Sequence, residues 1–299
     1  MLALNQTIDS SACTGCGMCV EICPMEIFRL ENVNGHQESK LIADRSDSCM
    51  LCGHCMAACP QAAVQVRGLS YEEDFFELPK SRIEADQFYN FLESRRSVRV
   101  FKDRPVPRDV LEQILGAIAS APMGFTPPKI EISVVSERTV IDKALPEIMG
   151  TYEQLLGLWQ NPLGRGILRR RTSTETYISL DEHVLPSLRY RLPEMQNGSK
   201  DSITRNAPAM LIFHAPYKSG SHTEDAHIAL TYGLLAAHAL GLGACAIGLV
   251  APAVERSKML RNLFHIPEEN EVLTSFVLGY PKYHFRRGIR RPLAAVHWV

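Results

Sequence analysis

The sequence lacks any apolar run that approaches the ~18 residues needed to span a bilayer, which argues against a membrane protein. Its first residues, MLALNQTIDSSAC, have neither the basic region nor the apolar core of a secretory signal. An excess of one charge is also missing, because 32 basic and 33 acidic residues give a net charge of −1. That balance offers no electrostatic case for nucleic acid binding. These absences predict a cytoplasmic protein that neither enters a membrane nor binds nucleic acid.

A chain of 299 residues suggests about two domains at ~150 residues each, and its charge is unevenly placed. Residues 1–70 hold four basic and seven acidic residues, and residues 71–80 hold one basic and four acidic. The remaining 219 residues carry 27 basic and 22 acidic side chains. An acidic head and a basic body indicate different roles for the two ends. The basic excess is compatible with an anionic cofactor.

Cysteine is concentrated in the head, where eight of the nine cysteines lie between residues 13 and 59. Without an export signal, this density indicates metal binding rather than disulfides. The eight form two runs of spacing Cys-x2-Cys-x2-Cys-x3-Cys-Pro displaced by 36 residues, so the segment is an internal duplication. Between the runs, Asn34 and Gly35 predict a hairpin turn that joins two short strands.

The spacing is that of bacterial ferredoxins, and residues 5–67 resemble a two-cluster bacterial ferredoxin. In such proteins the fourth cysteine of each run completes the cluster of the other run. The resemblance assigns one [4Fe–4S] cluster to Cys13, Cys16, Cys19 and Cys59, and the second to Cys49, Cys52, Cys55 and Cys23. Zinc is the alternative, although it favours two separated Cys or His pairs. Electron transfer is the expected role, because four thiolates leave no open position for a substrate.

A short acidic segment, GLSYEEDFFELPK at residues 68–80, breaks the cysteine pattern and predicts a linker. We place the domain boundary there, with a ferredoxin-type domain over residues 1–75 and a second, larger domain over residues 76–299. The linker aromatics Tyr71, Phe75 and Phe76 are expected to pin it to the body.

The body alternates helix-like and strand-like segments. Apolar residues at helical spacing follow Pro107, and a face of small residues on a later helix predicts close packing. The predicted helices cover 84–94, 108–118 and 225–242, and the predicted strands cover 130–135, 206–213 and 273–278, the first of them buried.

An arginine-rich stretch, Arg95-Arg96-Ser97-Val98-Arg99, opens the body. Three guanidinium groups and a hydroxyl within five residues could clamp a phosphate, because arginine presents a planar fork of donors to its oxygens. A solvated charged turn is the alternative that composition alone leaves open.

The body resembles the nitroreductase family of flavin enzymes over residues 88–299. The resemblance rests on five motifs in order: Arg-Arg-Ser-x-Arg, Ala-Pro after the first long helix, a helix ending in Gly-Leu-Gly, Gly-Tyr-Pro, and a late Arg-Arg-Pro. It implies an α+β fold with a mixed sheet flanked by helices, and FMN bound at the interface of a homodimer. Together with the head, the chain resembles a ferredoxin–nitroreductase fusion.

The same resemblance implies the residues that contact FMN. The opening and late basic motifs would hold the ribityl phosphate, the Ala-Pro loop would lie against the ring, and backbone amides after the Gly-Leu-Gly helix would face flavin N5. In this sequence the implied residues are Arg95, Arg96, Ser97, Arg99, Pro122, Met123, Gly124, Thr126, Ile247, Gly248, Arg290 and Arg291.

Two features depart from the family pattern. Thr126, Pro127, Pro128 and Lys129 stand where many members have Asn and then Gln-Pro-Trp, so Thr126 would have to replace the usual amide at the flavin. Residues 150–205 are long and rich in arginine, and either cover the substrate side of the flavin or form a solvated helical insertion.

Several other residues carry weaker signals. Gly241-x-Gly243-x-x-Ala246 matches a dinucleotide fingerprint but follows a helix instead of a strand, so we do not expect a Rossmann site. Cys245 is expected to be a small buried thiol. His214, His222, His227 and His238 are expected to be structural, with His222 or His227 the alternative proton donors. No catalytic side chain is identified.

Three functions are compatible with this combination. The first is a reductase in which the clusters pass electrons to FMN for two-electron reduction of a nitroaromatic, a quinone or an activated alkene. The second is a non-catalytic carrier that relays electrons to a partner protein. In the third, NAD(P)H reduces FMN and the clusters drain electrons outward, since the sequence does not distinguish NAD(P)H from ferredoxin as the donor.

Overall fold

The computed structural model describes residues 6–80, 82–124, 129–198, 200–217 and 219–299. Within these ranges the chain divides into two compact units. The first runs to Arg82 and takes in Gly124, and the second comprises Ile83–Met123 and Lys129–Val299. The boundary predicted from the sequence lies earlier, between residues 75 and 76.

The first unit consists of two strand pairs and short helices. Its elements are β1 (Gln6–Ile8), α1 (Met18–Ile22), β2 (Phe28–Val33), β3 (His36–Leu41), a 3₁₀ helix (Ala43–Ser48), α2 (His54–Ala58) and β4 (Val64–Val66). β1 pairs with β4 and β2 pairs with β3, both antiparallel. Asn34 and Gly35 join β2 to β3 with φ of 54° and 86°, the left-handed geometry of a two-residue hairpin turn. The predicted hairpin is therefore confirmed.

The linker aromatics pack on the first unit. The Tyr71 hydroxyl donates a hydrogen bond to the Val64 carbonyl oxygen at 2.9 Å, and the Phe75 ring lies 5.4 Å from the Tyr71 ring. Both side chains pack against the core formed by residues such as Met56, whereas Phe76 is exposed. The expectation that these rings pin the linker to the body was therefore wrong, because the head offers them an apolar surface.

The second unit is a four-stranded sheet with helices on both faces. Its elements are α3 (Ala85–Ser94), α4 (Arg108–Ala119), β5 (Glu131–Val135), α5 (Arg138–Gln160), α6 (Pro162–Arg171), α7 (Thr174–Ser179), a π-helical turn (Leu180–Val184), α8 (Leu185–Gln196), β6 (Ala209–Pro216), α9 (His222–Ala239), β7 (Gly243–Ala246), α10 (Val250–Arg256), α11 (Lys258–Leu263) and β8 (Asn270–Gly279). The strand order is β5-β6-β8-β7. The predicted α+β class is confirmed, as are the helices and strands expected from the apolar periodicity.

Pairing within this sheet is antiparallel for the named strands that the structure describes. Its parallel component is an isolated bridge between Ser97 and Ala244. β5 pairs on one side with β6, and Val134 is 37% exposed. The sequence predicted a buried strand here, but a strand at the sheet edge has one flank and part of its faces open.

Two hydrophobic clusters occupy the two faces of the sheet. Along β6, Met210 and Ile212 belong to one cluster, and Leu211 and Phe213 belong to the other. This alternation follows from the two-residue period of a strand. A strand buried on both faces reads as a continuous apolar run, which explains why β6 was predictable.

α4 and α9 pack closely on one face of the sheet. At Gly233 of α9, a Cβ atom would lie 2.9 Å from the Phe276 ring and 3.0 Å from Ile118 of α4. A larger residue would separate the helix from the sheet. The close packing predicted from the small residues of this helix is confirmed.

Most of the segment 150–205 that the structure describes is helical, and part of it is buried. Tyr152, Leu185, Leu188 and Leu192 belong to the cluster on the other face of the sheet. Arginines 169, 170 and 171 are exposed. The segment therefore combines a packed inner face with a solvated outer one. Among the described residues, no helix is long and apolar enough to cross a membrane.

Candidate cluster and cofactor-binding sites

Four thiols line each of two small cavities in the first unit. One cavity is lined by Cys13, Cys16, Cys19 and Cys59, and the other by Cys23, Cys49, Cys52 and Cys55. Each run thus contributes three cysteines to one cavity and its fourth cysteine to the other, as the sequence predicted. None of these eight cysteines forms a disulfide bond. Their role as cluster ligands remains a prediction.

The backbone around the two cavities repeats with the offset of the sequence duplication. Gly17 and Gly53 precede α1 and α2 with φ of 77° and 71°. Gly15 and Leu51, which correspond in the two runs, have φ of 68° and 56°. At Gly15 a Cβ atom would lie 1.9 Å from the Gln37 carbonyl oxygen, so glycine is required there. These left-handed residues wrap the chain around the thiols.

The inner thiols are shielded from water. Burial raises the pKa of Cys19, and it raises the pKa of Cys55 to about 12, with the charge of neighbouring cysteines acting in the same direction. Backbone N–H groups donate to sulfur as well, Leu51 to Cys49 Sγ at 3.4 Å and Ala63 to Cys59 Sγ at 3.3 Å. Thiolates in this setting need the positive charge of bound iron. The donor set therefore fits iron–sulfur clusters.

Single-ion binding fits these cavities less well. The thiols instead surround a space, as the corners of a multi-atom cluster require. This arrangement disfavours the zinc alternative.

The second unit brings its two basic motifs together. A cavity of about 320 Å³ is lined by Arg95, Arg96, Ser97, Arg99, Phe285, Ile289 and Arg291. A neighbouring cavity is lined by Glu93, Arg96, Gly288, Ile289, Arg290, Arg291 and Pro292. Arg96 and Arg291 border both cavities although they are far apart in sequence.

Arg96 has a hydrogen-bond donor that no group in the described structure accepts. Its Nη1 donates to the Arg95 carbonyl oxygen at 2.8 Å, but its buried Nε has no partner among the described residues. At Gly288 a Cβ atom would lie 3.0 Å from Arg96 Nη2, so the glycine keeps space open beside the guanidinium group. Burial and the charge of Arg95 both lower the pKa of His238. An unsatisfied donor in a positive field fits an anionic group such as a phosphate.

The other residues implied to contact FMN lie elsewhere. Pro122, Met123 and Gly124 do not line these two cavities, and neither do Ile247 and Gly248. Thr126 lies outside the described residues.

Ile247 and Gly248 differ in whether their backbone groups are available to a ligand. Ile247 is buried, and its N–H already donates to the Ser275 carbonyl oxygen at 2.9 Å. Of the two predicted amides after the Gly-Leu-Gly helix, the Ile247 amide is therefore engaged within the fold. Gly248 is exposed, so its backbone is accessible to a ligand.

Contacts within the fold give a structural role to several of the residues that carry weaker sequence signals. Cys245 is buried in the core of the second unit, as expected. His214 is buried, with ring nitrogens 3.1 Å from Ser133 Oγ and 2.7 Å from Asn270 Nδ2. A hydrogen bond that His222 donates to the Glu271 carboxylate raises the pKa of His222. No catalytic acid follows from these contacts.

Sequence reasoning missed Phe285 and Ile289, which line the basic cavity between arginines. The available signal was the interleaving of apolar residues with arginines over residues 285–291. Amphipathic stretches of this kind provide apolar contact beside a charge clamp.

The two units define a redox protein in which a two-cluster ferredoxin-type domain precedes an α+β domain with a basic cavity. Residues 92–280 match the Nitroreductase family, and residues 12–63 match the 4Fe-4S dicluster domain. The chain belongs to the Nitroreductase family. The predicted fold class and class of oxidoreductase are thereby confirmed.

Relatives of both parts are found among known proteins. A protein of Methanothermobacter thermautotrophicus named NADH dehydrogenase/NAD(P)H nitroreductase is 26% identical over 194 residues, which cover 64% of this chain and 75% of that protein. Ferredoxin-2 of Desulfomicrobium norvegicum is 52% identical over 25 residues, 8% of this chain and 42% of that ferredoxin. The structure of a nitroreductase with bound FMN from Bacteroides fragilis covers 71% of this chain and 98% of its own, with 19% identity and a TM-score of 0.51, so the two share the fold.

Proposed function

We propose that this protein is an FMN-dependent oxidoreductase in which electrons enter through two [4Fe–4S] clusters and reduce an electron-poor small molecule. Nitroaromatics, quinones and activated alkenes are the substrate classes. The observation that carries the proposal is the presence, in one chain, of two four-thiol cavities and a basic cavity in which one buried arginine donor, Arg96 Nε, is unsatisfied.

The cysteines would hold the clusters in the two sets that line the cavities. Burial of Cys19 and Cys55 keeps water from the inner corners, and the N–H groups directed at Cys49 and Cys59 stabilise negative charge on sulfur. These residues fix the position and the electrostatic environment of the clusters.

Arginines would hold FMN through its phosphate. Bound FMN would supply the conversion of single electrons into a two-electron reduction. The proposed phosphate ligands are Arg95, Arg96, Ser97, Arg99, Arg290 and Arg291. The proposed ring contacts are Pro122, Met123, Gly124, Thr126, Ile247 and Gly248. Because no side chain is an evident acid, we assign protonation of the acceptor to solvent or to a backbone N–H.

The proposal includes a homodimer, which would complete each FMN site at the interface. We also propose that the protein is located in the cytoplasm, because cysteine thiols and oxygen-sensitive clusters require a reducing compartment. The electron donor is proposed to be a reduced ferredoxin. NAD(P)H is the alternative donor, because it appears in the name of the Methanothermobacter relative.

An anaerobic titration with absorbance and EPR detection tests the direction of electron flow. Reduced ferredoxin and NAD(P)H are added separately to the protein with its clusters and FMN bound. We expect reduced ferredoxin to bleach the clusters and then the flavin, while NAD(P)H has no effect. If cluster reduction never yields reduced flavin, the proposal is wrong. If NAD(P)H bleaches the flavin first, the clusters lead outward instead.

Two cysteine variants sharpen the test. Cys16→Ser alters one of the cluster cavities, and Cys245→Ser alters a buried thiol of the second unit that lies outside both cavities. We expect the first to block flavin reduction by ferredoxin while dithionite still reduces the flavin, and the second to leave both rates unchanged. Turnover of nitroaromatic or quinone acceptors separates the enzyme from a carrier, which would exchange electrons only with a protein partner.

A further inference from the structure

The internal duplication allows the two thiol cavities to be compared position by position. Cys16 and Cys52 occupy the same place in the two cysteine runs, and they line the first and the second cavity respectively. Cys16 is exposed, whereas Cys52 is only partly exposed. Thr14 and Met50, the second residues of the two runs, differ in the same way, since Thr14 is exposed and Met50 is partly buried. Two repeats of one pattern therefore present their outer thiols differently to solvent.

The linker packs beside the second cavity, at Gly53. A Cβ atom at this glycine would lie 3.0 Å from Leu69 Cδ1 and 3.2 Å from Phe75 Cζ. Gly53 is buried and lines the second cavity. At the matching Gly17, a Cβ atom would lie 3.1 Å from Leu30 Cδ1, and Leu30 is 43% exposed. Two linker side chains thus cover the second run at a place where the first run has one exposed leucine.

This part of the linker is held in a fixed position. The Leu69 N–H donates to the Val66 carbonyl oxygen at 3.1 Å. The Tyr71 ring lies 5.4 Å from the Phe75 ring. All three linker side chains pack against the hydrophobic core that contains Cys55, a thiol of the second cavity. The cover is therefore part of the folded first unit.

We propose that the protein exchanges electrons with a one-electron carrier protein beside Cys16, and that Leu69 and Phe75 shield the second thiol cavity from that partner and from water. This inference rests on the proposed function, because it names the side of the head at which electrons enter. In each encounter the carrier gives up one electron, which passes to the cluster held beside Cys16. Two encounters supply the two electrons that the acceptor consumes. An exposed thiol suits this role, because electron transfer slows steeply as two redox centres move apart.

Shielding by the linker should affect the reduction potential of the cluster in the second cavity. Water stabilises the additional negative charge of the reduced state, so an apolar cover lowers the potential. In Phe75→Ala water gains access near Gly53, and one of the two cluster potentials should become more positive. The control is Phe76→Ala, because the Phe76 ring is adjacent in sequence but 78% exposed.

An anaerobic redox titration followed by EPR measures both cluster potentials in each variant. Cys16→Ser alters the EPR signal of the first cluster and so identifies the signal that moves in Phe75→Ala. We expect a shift of the second cluster alone in Phe75→Ala and no shift in Phe76→Ala. A shift of the first cluster, equal shifts of both, or no shift would overturn the inference.

A second pair of variants tests the place of electron entry. Met18 and His54 occupy matching positions of the repeats, are both exposed, and line the first and the second cavity respectively. Reduced bacterial ferredoxin carries anionic clusters, so Met18→Glu should slow its reduction of the protein about three- to tenfold by charge repulsion. His54→Glu should leave the rate near that of the wild type. Equal slowing in the two variants, or slowing in His54→Glu alone, would contradict the inference.

These rates are read from the absorbance of the clusters and do not depend on turnover. Iron content establishes that both glutamate variants retain their clusters. Selective slowing in Met18→Glu supports the inference even where the flavin is never reduced, an outcome that contradicts the proposed function alone. If ferredoxin exchanges no electrons with the clusters in either direction, the inference is wrong.

Discussion

Replacing Asp201 by asparagine should destabilise the second unit far more than replacing Asp142 by asparagine. Both carboxylates pair with the same guanidinium group, that of Arg138, at 3.2 Å and 2.7 Å. Their side chains differ in exposure, 5% for Asp201 and 54% for Asp142. The pair of substitutions therefore compares a buried with an exposed ion pair around one common partner.

The expected magnitude follows from what each carboxylate accepts. Asp201 takes N–H groups from Ile203, Thr204 and Asn206 in addition to the Thr204 hydroxyl and Arg138. Asparagine would present an amide donor to groups that are themselves donors, and would leave the guanidinium charge without its buried partner. Breaking a buried pair of this kind costs about 3–5 kcal/mol. An exposed pair three or four residues apart on a helix contributes about 0.3–0.5 kcal/mol.

Thermal unfolding of the FMN-loaded protein, followed by flavin fluorescence, measures the second unit. A unit of this size loses roughly 2–4 °C of Tm for each kcal/mol, so we expect a decrease of roughly 10 °C for Asp201→Asn. Asp142→Asn should change the Tm by about 1 °C. Similar decreases for the two variants, or a decrease below about 3 °C for Asp201→Asn, would refute this reasoning.

The pH dependence gives a second test of the same contact. Burial acts to raise the pKa of Asp201, but hydrogen bonds from Thr204 and Asn206 and the charge of Arg138 outweigh it, so the pKa is lowered from 3.8. A lowered pKa stabilises the folded state above the unfolded value, and this stabilisation is lost as pH falls through the folded value. The difference in Tm between wild type and Asp201→Asn should therefore shrink only below about pH 4.

Three further predictions concern other parts of the chain. Gly233→Val should lower the free energy of unfolding by about 1–3 kcal/mol, because its side chain would overlap the Phe276 ring of β8. Gly157→Ala, at a helix position with open space around it, should raise the free energy of unfolding by up to about 1 kcal/mol. The hydrogen bond to Glu271 raises the pKa of His222 above 6.5. In Glu271→Gln this bond to a carboxylate is removed, and an NMR titration should show the pKa of His222 falling toward 6.5. In Gly15→Ala, the added methyl group would collide with a backbone carbonyl of β3, so iron content should fall by about half while FMN content stays constant.

Local repeats made the head predictable. Each cysteine run sets its own backbone, with left-handed residues such as Gly17 and Gly53 at matching positions. The resemblance that the spacing carries therefore predicted which thiols share a cavity. The hairpin at Asn34 and Gly35 was equally local. Packing of Tyr71 on the head was not predictable, because an aromatic side chain in a linker carries no signal for which of two apolar surfaces it will cover.

Predictions in the body failed where long-range packing decides. An apolar run predicted a buried β5, and only the strand order shows that this strand lies at the sheet edge. The left-handed backbone at Arg205 depends on Asp201, whose carboxylate is held by Arg138 from a distant helix. No spacing rule links those three residues, so the sequence offered no sign of this contact.

The thiol cavities and the basic cavity differ in how far apart their residues lie in the sequence. This difference predicts how each site responds to substitution or to loss of its cofactor. Each thiol cavity draws all four of its cysteines from residues 13–59, so a substitution there acts on one or both clusters and nowhere else. The basic cavity is lined by both Arg96 and Arg291, which lie near opposite ends of the sequence of the second unit. The positive charges of its arginines repel one another until an anion is bound. Binding of an anionic cofactor therefore contributes to the folding free energy of the second unit, whereas iron binding contributes to that of the first. Loss of FMN should then lower the unfolding temperature of the second unit and leave the cluster signals unchanged.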